Sequence, residues 1–142
     1  MNTADTPTIL LIEDDDVAAE SVMRSLNKAG IQFPVVWAED GLDGLNILRG
    51  HNAQRKVPRP RLVLVDLNMP RMNGIEFLHA LRSDAELKDE VVFVLTTSDD
   101  DNDRSRAYDE NVAGYMVKSR LGPQFAKLID LLQSYKLAVK LP

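Results

Sequence analysis

The chain contains no cysteine, which excludes disulfide bridges, thiolate nucleophiles and zinc–thiolate centres. None of its apolar runs approaches the roughly 18 residues needed to cross a bilayer. Positive charge is not in surplus: 17 Lys and Arg against 22 Asp and Glu leave a formal net charge of −5. The chain as a whole therefore attracts neither nucleic acid nor an anionic lipid surface, and neither is an expected partner. Met1 to Pro7 is polar and lacks the basic and apolar regions of a secretory signal, so the expected address is the cytoplasm. A Walker-type lysine loop and a Gly-x-Gly-x-x-Gly turn are also missing, which leaves nucleotide binding without support. What remains is 142 residues, 44% hydrophobic and 27% charged, enough for one ordinary core and too few for two. A single domain over 1–142 is expected, with a core of about 7–134 and a C-terminal arm of about 135–142.

The apolar residues that are present are arranged in a telling way. Thr8-Ile-Leu-Leu-Ile12 is closed by Glu13 and Asp14, and Leu62-Val-Leu-Val65 is closed by Asp66. Runs of branched aliphatics without alternation read as strands buried on both faces, hence as a parallel sheet covered by helices. Such sheets bind ligands at their carboxyl ends. If the two strands are neighbours, three carboxylates meet in one cleft, and they repel one another unless a hard divalent cation or a proton intervenes.

Apolar runs alternate with segments of helical period along the chain, the rhythm of βαβ units. Strands are predicted near 8–12, 31–37, 62–65, 91–95 and 114–117, and helices near 16–29, 41–49, 73–83, 100–110 and 122–138. Asn27-Lys-Ala-Gly30 reads as a helix end, Asp15 and Asp16 as caps of the first helix, and Asp99 as the N-cap of the fourth. The connection Gly50 to Arg61 is longer than the roughly 2–6 residues usual for such a loop. Its basic residues either solvate a segment stiffened by Pro58 and Pro60 or dock an acidic partner.

Two patterns imitate metal sites. Asp99, Asp101 and Asp103 with Glu110 have calcium-loop spacing, but Arg104 stands where that turn needs Gly. Glu76-Phe-Leu-His79 has di-iron spacing without a second copy, so His79 reads as an ordinary helix-surface residue.

Ile9-Leu-Leu-Ile-Glu-Asp-Asp15, Leu64-Val-Asp-Leu-Asn-Met-Pro-Arg-Met-Asn-Gly74, Val94-Leu-Thr-Thr-Ser98 and Gly114-Tyr-Met-Val-Lys118 occur in this order. Together they resemble the receiver domain of two-component response regulators, over essentially the whole chain. The basic loop, Lys118-Ser-Arg120 and the Leu-Pro ending further resemble single-domain regulators that partner bacterial phytochromes. The resemblance implies a doubly wound, flavodoxin-like parallel sheet of order 2-1-3-4-5 with five helices and a C-terminal extension. It implies that Asp66 is the phosphoacceptor for a sensor histidine kinase. Asp14 would be a direct Mg²⁺ ligand, Glu13 a ligand largely through water, and Asn68 a ligand through its backbone carbonyl, with Mn²⁺ able to replace Mg²⁺. Lys118 and the Thr96 hydroxyl would meet the phosphoryl oxygens, and Thr96 with Tyr115 would form the conformational switch. The chemistry agrees: a carboxylate is a competent nucleophile toward phosphorus once the repulsion between two anions is offset.

By that resemblance the chain accepts phosphoryl without being an enzyme beyond slow loss of its own phosphate. With no output domain expected, the signal leaves through a binding surface, toward a downstream phosphotransfer protein. Two other classes stay open. A scaffold that takes no phosphoryl is disfavoured by the intact acid set. An aspartate-nucleophile phosphatase needs a general acid two residues after the nucleophile, where this chain has Asn68. Two departures from the receiver pattern stand out. Ser119 follows Lys118 in place of proline, which leaves that peptide's geometry open, and Thr97 occupies a position where many receivers carry a smaller residue. At the tail, Tyr135, Leu137, Val139 and Leu141 alternate with Lys136, Ala138 and Lys140, an amphipathic arm expected to build a homodimer.

Overall fold

The computed structural model describes residues 7–28, 30, 32–118, 130, 131 and 134. Within them the elements follow as β1 (Thr8–Ile12), α1 (Asp16–Lys28), β2 (Val35–Ala38), α2 (Gly41–Leu48), β3 (Arg61–Val65), α3 (Gly74–Arg82), β4 (Val91–Thr96), α4 (Asp101–Asp109) and β5 (Gly114–Val117). All strand pairs are parallel, in the order β2-β1-β3-β4-β5. This is the doubly wound, flavodoxin-like sheet that the sequence predicts. The predicted fifth helix, the C-terminal arm and the Lys118–Ser119 peptide lie outside the described residues, apart from 130, 131 and 134, which are helical.

The alternation of strand side chains divides the core into two layers. Leu10, Ile12, Val63, Val65, Val92 and Val94 face Leu45 and Leu48 of α2 and Phe77, Leu78 and Leu81 of α3. Ile9, Leu11, Leu62, Leu64, Phe93 and Leu95 face Ala19, Val22 and Leu26 of α1. Each fully buried Leu or Ile contributes about 1.5–3 kcal/mol by leaving water. Both β1 and β3 are buried along their whole length, which is why their sequences show no alternation of polarity.

Three sequence expectations are corrected. The second strand does not begin at 31: Gly30 takes a left-handed φ of 77°, and the ladder starts after Pro34. Proline has no N–H to donate, so Pro34 joins only through its carbonyl, which accepts from Ile9 N–H at 2.8 Å. The N-cap of α4 is Asp100, whose side chain accepts from Asn102 N–H at 2.7 Å. Asp99 pairs instead with Arg104. Finally, the arginines of the 50–61 loop neither float in solvent nor reach outward. Arg55 donates to the Trp37 carbonyl and the Asp43 carboxylate, Arg59 to the Glu86 carbonyl, and Arg61 to both oxygens of Glu90 and to the Val57 carbonyl. Their charges clip the loop to its own scaffold. Among the described residues no helix is long and apolar enough to cross a membrane.

Candidate metal and phosphoryl site

Because Ile12 and Val65 are register partners on adjacent strands, the residues that follow them emerge at the same level. Glu13 N–H still donates to the Ala38 carbonyl at 3.0 Å and Asp66 N–H to the Ile12 carbonyl at 3.0 Å, so both acids are held by the last rungs of the sheet. Glu13, Asp14 and Asp66 present carboxylate oxygens that lie within 4.8 Å of one another. Glu13 and Asp66 are buried and Asp14 is exposed at the mouth. This is an all-oxygen, anionic donor set, the kind that a hard divalent cation such as Mg²⁺ or Mn²⁺ selects.

The fourth charge comes from the far side. Val117 pairs with Thr96 at the end of β5, which brings Lys118 to the same edge. Its ammonium donates to Glu13 Oε2 at 2.6 Å and to Asp66 Oδ2 at 3.4 Å. Burial, reinforced by the Asp66 charge, pushes the Glu13 carboxyl up to about 7 against the opposing pull of Lys118. Burial works against the Lys118 charge too, but the Glu13 hydrogen bond and the two carboxylates outweigh it, and its pKa rises. With Lys118 protonated and all three acids ionised, the cluster retains a formal charge of about −2, which one divalent cation offsets.

The remaining predicted residues gather around this core. Asn68 is exposed; its N–H donates to Asp66 Oδ1 at 3.3 Å and its side-chain amide reaches Thr97 Oγ1 at 3.5 Å, across the rim. Thr96 is fully buried at the end of β4, and its hydroxyl accepts from Ser98 N–H at 3.3 Å. Tyr115 donates its hydroxyl to the Ser98 carbonyl at 2.9 Å. The predicted switch pair therefore meets on one intervening residue.

The sequence reading did not single out several residues that build this site. Gly74 opens α3 against the strand end: a Cβ there would lie 2.5 Å from the Asp66 carbonyl oxygen and 2.6 Å from Leu67 Cα. Arg71, in left-handed backbone with φ 63°, is ion-paired to the buried Asp40 and so ties the β3–α3 loop to the start of α2. Asn73 and Glu76 form a reciprocal capping box at the start of α3, and their three-residue spacing is a signal the sequence did carry. The calcium-like pattern dissolves: Asp99 and Asp101 pair with Arg104, Asp103 accepts from Ser98, and Glu110 meets His79, which is exposed on the surface of α3 as expected.

Residues 9–130 match the family model described as the response regulator receiver domain. Response regulator Rcp1 of Synechocystis is 33% identical over 135 residues, spanning 94% of this chain and 92% of its own. A Mn²⁺-bound structure of Rcp1 superposes with a TM-score of 0.78, covering 96% of this chain and 99% of that one. The phosphorylated cyanobacterial phytochrome response regulator RcpA gives a TM-score of 0.79 at 30% identity, with 96% of this chain and 99% of that one covered. RPA3017, a response regulator in red light signalling of R. palustris, gives 0.81 at 31% identity, covering 96% of this chain and 98% of its own. On the family match and these relatives, the chain belongs to the response regulator receiver domain family.

Proposed function

We propose that this receiver accepts a phosphoryl group from the phosphohistidine of a sensor histidine kinase onto Asp66, in a reaction that requires Mg²⁺ or Mn²⁺. The observation that carries this reading is Lys118, whose ammonium spans Glu13 and Asp66 beside the three clustered carboxylates. In the transfer, an Asp66 oxygen attacks phosphorus, the phosphorus–nitrogen bond of the donor breaks, and the imidazole leaves with the electron pair. Glu13, Asp14, Asp66 and the Asn68 carbonyl would hold the cation, which supplies charge that offsets the repulsion between carboxylate and phosphoryl oxygens. Lys118 and the Thr96 hydroxyl then meet the phosphoryl oxygens. Asn68 offers no proton to a leaving group, so the site favours acceptance over phosphatase chemistry. Its own phosphate is lost slowly.

Rcp1 and RcpA, the latter a phytochrome response regulator by name, support a bacteriophytochrome-type kinase as donor. The protein acts in the cytoplasm, passes its signal to a binding partner such as a phosphotransfer protein, and pairs as a homodimer through residues 135–142. The test is intact mass after incubation with acetyl phosphate. Phosphorylation is expected with Mg²⁺, none in excess chelator and none in Asp66→Asn. A mass shift that persists in Asp66→Asn would sink the assignment.

A further inference from the structure

Ser98 links the buried site to a helix that has little else to hold it. Of α4 only Ala107 is buried, whereas α3 buries Gly74, Phe77, Leu78 and Leu81. The position of α4 is set instead by polar contacts at its N-terminal end. The Ser98 hydroxyl donates to Asp103 Oδ2 in the first turn of α4 at 2.6 Å, and it accepts from the N–H of Asp100, the N-cap, at 3.3 Å. Through its backbone, Ser98 donates to Thr96 Oγ1 and accepts from the Tyr115 hydroxyl. A second tie runs alongside: the Arg104 guanidinium lies 5.4 Å from the centre of the Tyr115 ring, held by Asp99 at 2.5 Å and Asp101 at 2.7 Å. A helix anchored by exchangeable hydrogen bonds rather than apolar burial belongs to the low-stability part of a fold, the part that moves.

We infer that Ser98 is the positioning residue through which the phosphorylation state of Asp66 sets the placement of α4. The inference rests on the reading of Asp66 as phosphoacceptor and Thr96 as phosphoryl ligand. When the Thr96 hydroxyl turns to a phosphoryl oxygen, Ser98 N–H loses its acceptor, the turn shifts, and the Ser98–Asp103 bond that holds α4 in its unphosphorylated place is drawn apart. Linkage makes the effect reciprocal: a bond that favours the unphosphorylated arrangement lowers affinity for the phosphoryl group by the same factor.

The test uses the full chain with Mg²⁺ and beryllofluoride, a non-reacting phosphoryl mimic, reading its affinity by calorimetry and amide hydrogen exchange across α4. Ser98→Ala is expected to bind beryllofluoride about fivefold more tightly. Its α4 amides should exchange without the mimic as fast as the parent's do with it. Ser98→Thr keeps the hydroxyl and should restore both properties. Asp103→Ala should match Ser98→Ala, and the double variant should add nothing, because both remove one bond. Faster exchange in Ser98→Ala with unchanged beryllofluoride affinity would show a purely structural role and overturn the inference. A parent protein that takes no phosphoryl from acetyl phosphate fails the Asp66 reading first and takes the inference with it. Normal phosphorylation of Asp66 beside an unaltered Ser98→Ala variant overturns the inference alone.

Discussion

The indole N–H of Trp37 donates to the backbone carbonyl of Glu13 at 2.7 Å. Trp37 is the single tryptophan of the chain, on the strand next to β1, so an optical probe is built into the wall of the acidic cluster.

Cation binding to Glu13 and Asp14 should therefore change Trp37 emission saturably as Mg²⁺ or Mn²⁺ is added. Asp14→Asn removes a charged oxygen ligand and should weaken the apparent affinity at least about tenfold, the scale of one lost charged contact. A fluorescence titration in which Asp14→Asn matches the parent would contradict the assigned ligand set.

Affinity for Mg²⁺ should also depend on pH, with a sign that follows from Glu13. Its carboxyl is raised from 4.5 to about 7, so below that pH the cation must displace a proton, and above it the carboxylate is already ionised. Affinity is expected to be level above about pH 7 and to fall by up to tenfold per unit below it. For stability of the metal-free protein the same shift has the opposite sense. Between pH 4.5 and about 7 the folded state holds a proton that the unfolded chain has released, so this group makes the fold less stable as pH rises through that window. Glu13→Gln should flatten both dependences, measured by Trp37 titration and by urea unfolding at several pH values.

The parts of this site legible in the sequence are those where one local pattern has one physical solution. Unbroken aliphatic runs ending in Glu13–Asp14 and Asp66 require doubly buried parallel strands, and Lys118 at the end of another such run lands on the same edge. Where several residues could do the same job, the outcome depends on packing. Asp99, Asp100 and Asp101 can each cap a helix, and the choice of Asp100 follows from Arg104 drawing the other two. Arg55, Arg59 and Arg61 look like a free basic patch because their partners Asp43, Glu86 and Glu90 are distant in sequence. The role of Ser98 was equally hidden, since it depends on β5 bringing Tyr115 beside the end of β4.

Gly74 marks a close approach that tolerates no side chain. In Gly74→Ala the new Cβ would meet backbone atoms of Asp66 and Leu67, which cannot turn aside as a flexible side chain can. The strand end or the start of α3 must shift, at a cost of about 1–3 kcal/mol. Since the displaced peptide carries Asp66, phosphorylation by acetyl phosphate should slow in the fraction that remains folded. Urea unfolding and intact mass on one sample separate the two effects. Full stability with a parental phosphorylation rate would refute the steric argument.

Arg61 and Glu90 join the start of β3 to the residue before β4 through two hydrogen bonds of 2.8 Å, and both side chains are buried. Arg59 adds a third contact to the same carboxylate at 3.1 Å. Glu90→Ala would leave the Arg61 guanidinium in a dry setting with only the Val57 carbonyl as acceptor, an expected loss of about 3–5 kcal/mol. Replacing both partners, as in Arg61→Met with Glu90→Leu, removes the buried charge along with its counter-charge and should recover most of that loss. The pair sits at the amino ends of the strands, opposite the acidic cluster, so neither change should alter Mg²⁺ affinity of the folded protein. Urea midpoints for the single and double variants, read beside the Trp37 titration, decide the matter. A double variant no more stable than Glu90→Ala would mean that the arginine is held for its shape and packing rather than its charge.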